Sequence, residues 1–183
     1  MQFTLSEYLE KLLKRYQLHY DVEINKFISG TKIDIYALSV IEHYRNVFNK
    51  KIKIDHYQER EIILVNGFEK YVEDNDINEY FQFLNKAAQE LVNPSFDVMC
   101  HVINGILVSA GGFSQEAISV SQRFKYSKTF ALGIKGWCDI RLLLIDIKNN
   151  AVFFNVKGRE IAEVYSFNKN EEFGGGKKES IRL

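Results

Sequence analysis

The chain is poor in cysteine, proline and tryptophan and has no surplus of either charge. Of 183 residues two are Cys, one is Pro and one is Trp, and 24 Lys and Arg balance 24 Asp and Glu. Two cysteines in a chain this long do not make a disulfide framework. Cys100 and Cys138 lie outside any CxxC pair or metal-spaced histidine pair, so both are expected to be reduced and buried. Net neutrality argues against non-specific wrapping of nucleic acid, while leaving room for a local basic patch. No apolar run approaches bilayer length: Ile62–Val65 and Leu142–Ile147 are strand-sized. The opening segment, MQFTLSEYLEKLLKRY, is interrupted by acidic residues and has no hydrophobic region of a secretory leader. The expectation is a cytoplasmic protein of bacterial type with no membrane partner.

What the chain does have is 46% hydrophobic and 14% aromatic residues, enough for one packed domain. That excludes a collagen-like or wholly disordered chain. Thr4 and Glu7 form a capping box ahead of Leu5, Tyr8, Leu9, Leu12, Leu13 and Tyr16, which share one helical face. His19–Ile28 and Lys32–Ile41 alternate around the turn signal Ser29-Gly30. A polar break at His43–Asn49 leads to a strand Lys50–Tyr57, and Glu61–Val65 continues it or forms another. One wet and one apolar face predict an antiparallel meander.

A second helix is expected from cap Asp76 with Glu79, through Ile77, Tyr80, Phe81, Leu84, Ala88 and Leu91, to Asn93-Pro94. Val102–Ser109 reads as a buried strand. It ends at Gly111-Gly112, where Ser114 opens a third helix stapled by Phe113 and Ile118, which is half of a parallel crossover unit. Strands Thr129–Ile134, Asp139–Ile147 and Ala151–Val156 follow, the last two around Asn149-Asn150, with a short helix at Ile161–Tyr165. The fold class is α/β (or α+β): one domain over residues 1–167, a mixed sheet flanked by about three helices, and a polar tail over 168–183.

Helix, three-stranded meander, helix, strand is the core order of the restriction-endonuclease-like, or PD-(D/E)XK, superfamily, and the chain resembles it in that order over roughly residues 5–125. Ile106-Leu107-Val108-Ser109-Ala110-Gly111-Gly112-Phe113-Ser114-Gln115-Glu116-Ala117 resembles the strand–Gly–Phe-Ser–x–Glu-Ala junction of Mrr-type members. The resemblance implies an Asp at the end of the second strand and an acid and Lys, one residue apart, on the third. There the carboxylates would hold Mg²⁺ and the Lys would position the attacking water. Asp34 matches the first element. The third strand departs from the pattern, because Asn49 or Lys51 stands where the acid belongs; Lys53 supplies the cation and Asp55 shares its face. Asp34, Lys51, Lys53 and Asp55 are the catalytic candidates, and Asp34 and Asp55 the metal ligands if a nuclease survives. No other cofactor is expected. The departure implies a catalytically degenerate relative that binds nucleic acid.

Other constellations are quieter. His19, His43, His56 and His101 show no ligand spacing. The Ser109–Ser114 turn lacks a phosphate-loop pattern and reads as a tight turn. Lys135-Gly136-Trp137-Cys138-Asp139-Ile140-Arg141 holds the only Trp. Trp137 offers a stacking face, and Lys135 and Arg141, with Asp139 between them, offer cations for a phosphate or carboxylate. This segment is the expected ligand or partner surface. The second functional reading is accordingly a non-enzymatic protein-interaction module, with a protein partner or a homodimer on that surface; a small-ligand-binding domain is the third.

Overall fold

The computed structural model describes residues 3–45 and 55–167, with backbone alone for Tyr44, Arg45, Asp55 and His56. Helix α1 (Leu5–Tyr16) is followed by strands β1 (Asp21–Ile28), β2 (Thr31–Arg45) and β3 (Asp55–Phe68). Helix α2 (Asp74–Leu91) then leads to β4 (Val98–Ser109), and α3 (Gln115–Arg123) to β5 (Ser127–Thr129). β6 (Trp137–Asp146) and β7 (Ala151–Phe154) complete one mixed seven-stranded sheet of order β1-β2-β3-β4-β6-β5, with β7 also on β6. The protein is a single α/β domain. β1, β2 and β3 form the expected antiparallel meander. β4 lies parallel to β3, and β6 parallel to β4, so α2 and α3 are the crossover helices.

The caps work as the sequence predicts for α1, where Thr4 and Glu7 bond reciprocally, and for α3, where Ser114 Oγ accepts from the Ala117 N–H at 3.0 Å. α2 starts earlier than expected. Glu73 is the cap and Asp76 sits inside the first turn, its carboxylate accepting from the Glu73 N–H at 3.0 Å. The polar stretch His43–Arg45 is strand rather than a break, paired with Asp55–Tyr57, and β3 runs unbroken through Glu61–Val65. The remainder of the expected strand, residues 50–54, and the tail 168–183 lie outside the described residues. The expected strand Thr129–Ile134 ends after Thr129. Ala131 and Leu132 take left-handed backbone and turn the chain.

Alternation along the strands divides the core. On one face Leu5, Tyr8, Leu12 and Tyr16 of α1 cover Ile35, Ala37, Ile63, Val65, Ile106, Val108, Leu143 and Ile145. On the other, Ile77, Tyr80, Leu84 and Ala88 of α2 and Ala117 and Ile118 of α3 cover Ile62, Leu64, Ile103, Leu107, Ile140 and Leu142. The glycine in mid-β4 has a steric cause: a Cβ on Gly105 would stand 2.9 Å from both Leu84 methyls. Among the described residues no helix is long and apolar enough to cross a membrane.

Candidate functional site

The α1-bearing face is only half covered. α1 ends at Tyr16 and the chain turns back, so beyond Ile63, Ile106 and Leu143 the sheet presents another set of side chains: Glu59 and Glu61 from β3, Cys100 and Asn104 from β4, and Trp137, Asp139 and Arg141 from β6. Glu61 is the hub. Tyr20 Oη donates to its Oε2 at 2.7 Å and Asn104 Nδ2 to its Oε1 at 2.8 Å, while the Arg141 guanidinium lies 3.4 Å from Oε1. Arg141 also donates to Glu160 at 2.5 Å, and Lys157 pairs with Asp139 at 3.0 Å. Burial pushes the Cys100 thiol up to about 11, with the Glu59 carboxylate adding to it, so the group is a neutral thiol and not a nucleophile. At the outer edge of this face the His43 ring stacks on Tyr57 at 4.7 Å, and its Nε2 stands 3.4 Å from Glu59.

On the opposite face, His101 sits directly across from Arg60 in the β3–β4 register. It is fully buried with no well-aligned hydrogen bond to either ring nitrogen, the Trp137 backbone being its nearest polar neighbour, and Arg60 Nε is likewise without a bond. Burial, reinforced by the neighbouring guanidinium, lowers the imidazole pKa to about 4.

The register separates the carboxylates expected to share a metal. The Gly67 N–H donates to Asp34 Oδ2 at 2.8 Å, so this side chain satisfies a backbone group where the β2–β3 ladder ends. Asp55 pairs with Arg45, eleven residues further along β2. At about 3.3 Å per residue that is roughly 36 Å away, at the other end of the hairpin. Asp34 and Asp55 are not brought together. Lys51, Lys53 and the alternative position Asn49 fall outside the described residues, as does the Asp55 side chain. No group of three or more His, Cys, Asp or Glu converges as a metal site among the described residues.

The Lys135–Arg141 segment divides by role. Asp139 and Arg141 are spent on the internal pairs above. Trp137 is 39% exposed, and the Lys135 ammonium lies over the Phe96 ring at 5.3 Å. Phe96, Leu132 and Ile134 are exposed too, Leu132 completely. These four exposed apolar side chains, on the segments that lead into β4 and β6, are the apolar rim of this end of the sheet. The rim loop is held firmly: the Phe130 N–H donates to Gly136 O at 2.9 Å and the Lys135 N–H to Phe130 O at 3.2 Å. Gly136, at φ 77°, lies so close to Met99 that a Cβ would meet its carbonyl oxygen at 2.3 Å.

Two further features are structural. In the Ser109–Ser114 turn, the Gly112 N–H donates to Ser109 Oγ at 2.9 Å, and a Cβ on Gly111 would lie 2.4 Å from the Lys70 backbone. The turn is thus filled by its own chain, as the tight-turn reading expects. A shallow groove of about 660 Å³ runs beside β7, with Phe154, Arg159 and Phe167 among its lining. Glu61, Asn104, Tyr20 and Glu160 escape sequence reasoning. The one local signal is a polar residue inside an otherwise apolar strand, as at Asn104 within Val102–Ser109.

Fold and site together define an α/β domain whose sheet is closed at one end and, at the other, carries an apolar rim beside an internally neutralised carboxylate. The chain belongs to the family described as Domain of unknown function (DUF8052), whose model matches residues 4–167. In structure it is similar to a chain from the crystal structure of a repair endonuclease from Pyrococcus abyssi. The identity is 11% and the TM-score 0.37, over 66% of this chain and 43% of that one, so this chain spans less than half the length of its structural neighbour. No curated protein matches it. A likeness at that level leaves function to be argued from the site.

Proposed function

We propose that the domain is a non-catalytic protein-binding module that docks its partner on the rim formed by Phe96, Leu132, Ile134 and Trp137. The observation that carries this reading is Leu132, wholly exposed and held at φ 54°. A side-chain-bearing residue in the left-handed region costs about 1 kcal/mol. A leucine left in water also forgoes the ~2 kcal/mol that burial would return. The free molecule keeps both penalties in a loop locked by hydrogen bonds and a buried glycine, which supports a contact made with another molecule. Trp137 beside it is the residue type that anchors protein interfaces.

The aliphatic tip of Leu132 and Ile134 suits a protein surface better than a stacked base. The absence of catalysis is supported by Glu61. In the superfamily that the core order resembles, third-strand carboxylates bind Mg²⁺; here Glu61, the more enclosed of the two described β3 carboxylates, is saturated by Tyr20, Asn104 and Arg141, a fixed cation in the metal's place.

A photo-crosslinking residue at Leu132 tests the reading in cells. A discrete protein adduct is expected, lost with Trp137→Ala and missing from a crosslinker placed at the exposed Val156. An adduct of twice the chain's mass would identify the partner as a second copy. Equal labelling at both positions would overturn the docking surface. Plasmid cutting with Mg²⁺ that Glu61→Gln abolishes would overturn the non-catalytic assignment.

A further inference from the structure

Resting on that reading, we infer that the partner offers the rim an acidic segment with interspersed apolar side chains. The stretch from Arg123 to Lys135 contains Arg123, Lys125, Lys128 and Lys135 and no Asp or Glu, in a chain whose overall charge is zero. Among the described residues none of these four cations has a carboxylate within ion-pair reach, a property shared by scattered cations such as Lys32 and Lys86 but here concentrated in thirteen residues. In the chain these cations flank the loop that carries Leu132 and Ile134; Lys128, opposite Cys138 in the register, stands on the sheet face away from Trp137. Arg123 and Lys125 lead into β5, the outermost strand on this side, whose Thr129 pairs with Trp137. Lys128 lies over the Phe130 ring at 5.4 Å, and Lys135 over Phe96 at 5.3 Å.

A surface kept merely soluble mixes both signs. Here the opposite sign is nearly missing: the facing stretch 92–100 adds only Asp97, and Asp139 is already neutralised by Lys157. A basic stretch on either side of an exposed apolar loop complements an acidic amphipathic segment, in which carboxylates meet the flanking cations and apolar side chains cover Leu132 and Ile134.

Trp137 is the only tryptophan, so its emission reports occupancy directly in the full-length chain. The probes are a short synthetic peptide alternating Glu with Leu and Ile, the same peptide with Lys for Glu, and a single-stranded oligothymidylate. The Glu peptide should shift Trp137 emission saturably, with affinity falling about tenfold as salt rises from ~0.05 to ~0.5 M. Lys125→Glu combined with Lys128→Glu should weaken it by about tenfold as well, while Lys148→Glu, on the distant β6–β7 turn, changes nothing. Equal binding of the Lys peptide, or a stronger response to the oligonucleotide, overturns the inference. If no acidic peptide binds while the Leu132 crosslink persists, the docking rim stands and its acidic partner falls. If the crosslink also disappears, both fall.

Discussion

The two ends of one sheet are built from the same strands and obey different rules. At the carboxyl end of β3, β4 and β6, Leu64, Val65, Ile106, Val108, Leu143, Leu144 and Ile145 are all fully buried between α1 on one face and α2 with α3 on the other. At the amino end α1 has run out on its face of the sheet. The same strands there carry Glu59, Glu61, Asn104, Asp139 and Arg141, and the adjoining loop leaves Leu132, Ile134 and Trp137 in water. The closed end is held by area removed from solvent, which tolerates no change of volume. The open end is held by paired charges and hydrogen bonds, which tolerate exposure but not the loss of one partner. Fold stability should therefore concentrate at one end and recognition at the other.

The sharpest way to break this contrast is to empty the closed end. Leu84, fully buried and pressed against Gly105, should cost about 3 kcal/mol when cut to alanine, read as a lower denaturant midpoint with unchanged slope. A loss under ~1 kcal/mol would show that α2 is not clamped to β4.

His101 sharpens the contrast through pH. Its folded-state pKa of about 4 lies below the value near 6.5 expected unfolded. Between these values the unfolded chain binds the extra proton, so stability rises with pH there. The contribution is complete above about 6.5 and is lost as pH falls towards about 4, an effect of order 3 kcal/mol. Denaturant midpoints measured across that window should show the slope, and His101→Gln should flatten it. An unchanged slope would assign the acid sensitivity elsewhere.

At the open end the hub is next in size. Arg141→Met leaves Glu61 with Tyr20 and Asn104 but no cation, and should cost about 2 kcal/mol. Adding Glu61→Gln removes the stranded charge, so the double variant should recover part of that loss. Strict additivity in the double-mutant cycle would deny that the two residues act as a pair.

Local chemistry made much of the fold legible. The Thr4–Glu7 box, the Ser114 cap, the period of two in the meander and the apolar run into Gly111-Gly112 each report short-range physics that tertiary packing then respects. Two acids three residues apart, Glu73 and Asp76, could each open α2, and only packing chooses between them. The apolar run Thr129–Ile134 reads as strand because propensity cannot register the left-handed turn at Ala131 and Leu132. Of the site, Trp137 was legible as the lone tryptophan beside a glycine. The fates of Asp139 and Arg141 were not, because Lys157, Glu61 and Glu160 reach them from distant segments. Asp34 resembled a metal ligand because a strand-end aspartate looks alike whichever end of the hairpin it occupies. Register depends on the length of the hairpin, and no single residue encodes that.

The smallest effect is the one that opposes the usual direction. If Leu132 is retained for contact and not for stability, replacing it should make the free protein more stable. Glycine adopts φ near 54° without the Cβ penalty, so Leu132→Gly removes strain of about 1 kcal/mol. The more flexible unfolded chain takes back part of that gain. The net expectation is a rise of about 0.5 kcal/mol in unfolding free energy together with loss of the crosslinked or peptide-bound state. Leu132→Asn, which also tolerates left-handed backbone but keeps a side chain, should behave alike. A destabilised glycine variant would mean that the leucine supports its own loop, and the rim would then lose the residue that argues most directly for a partner.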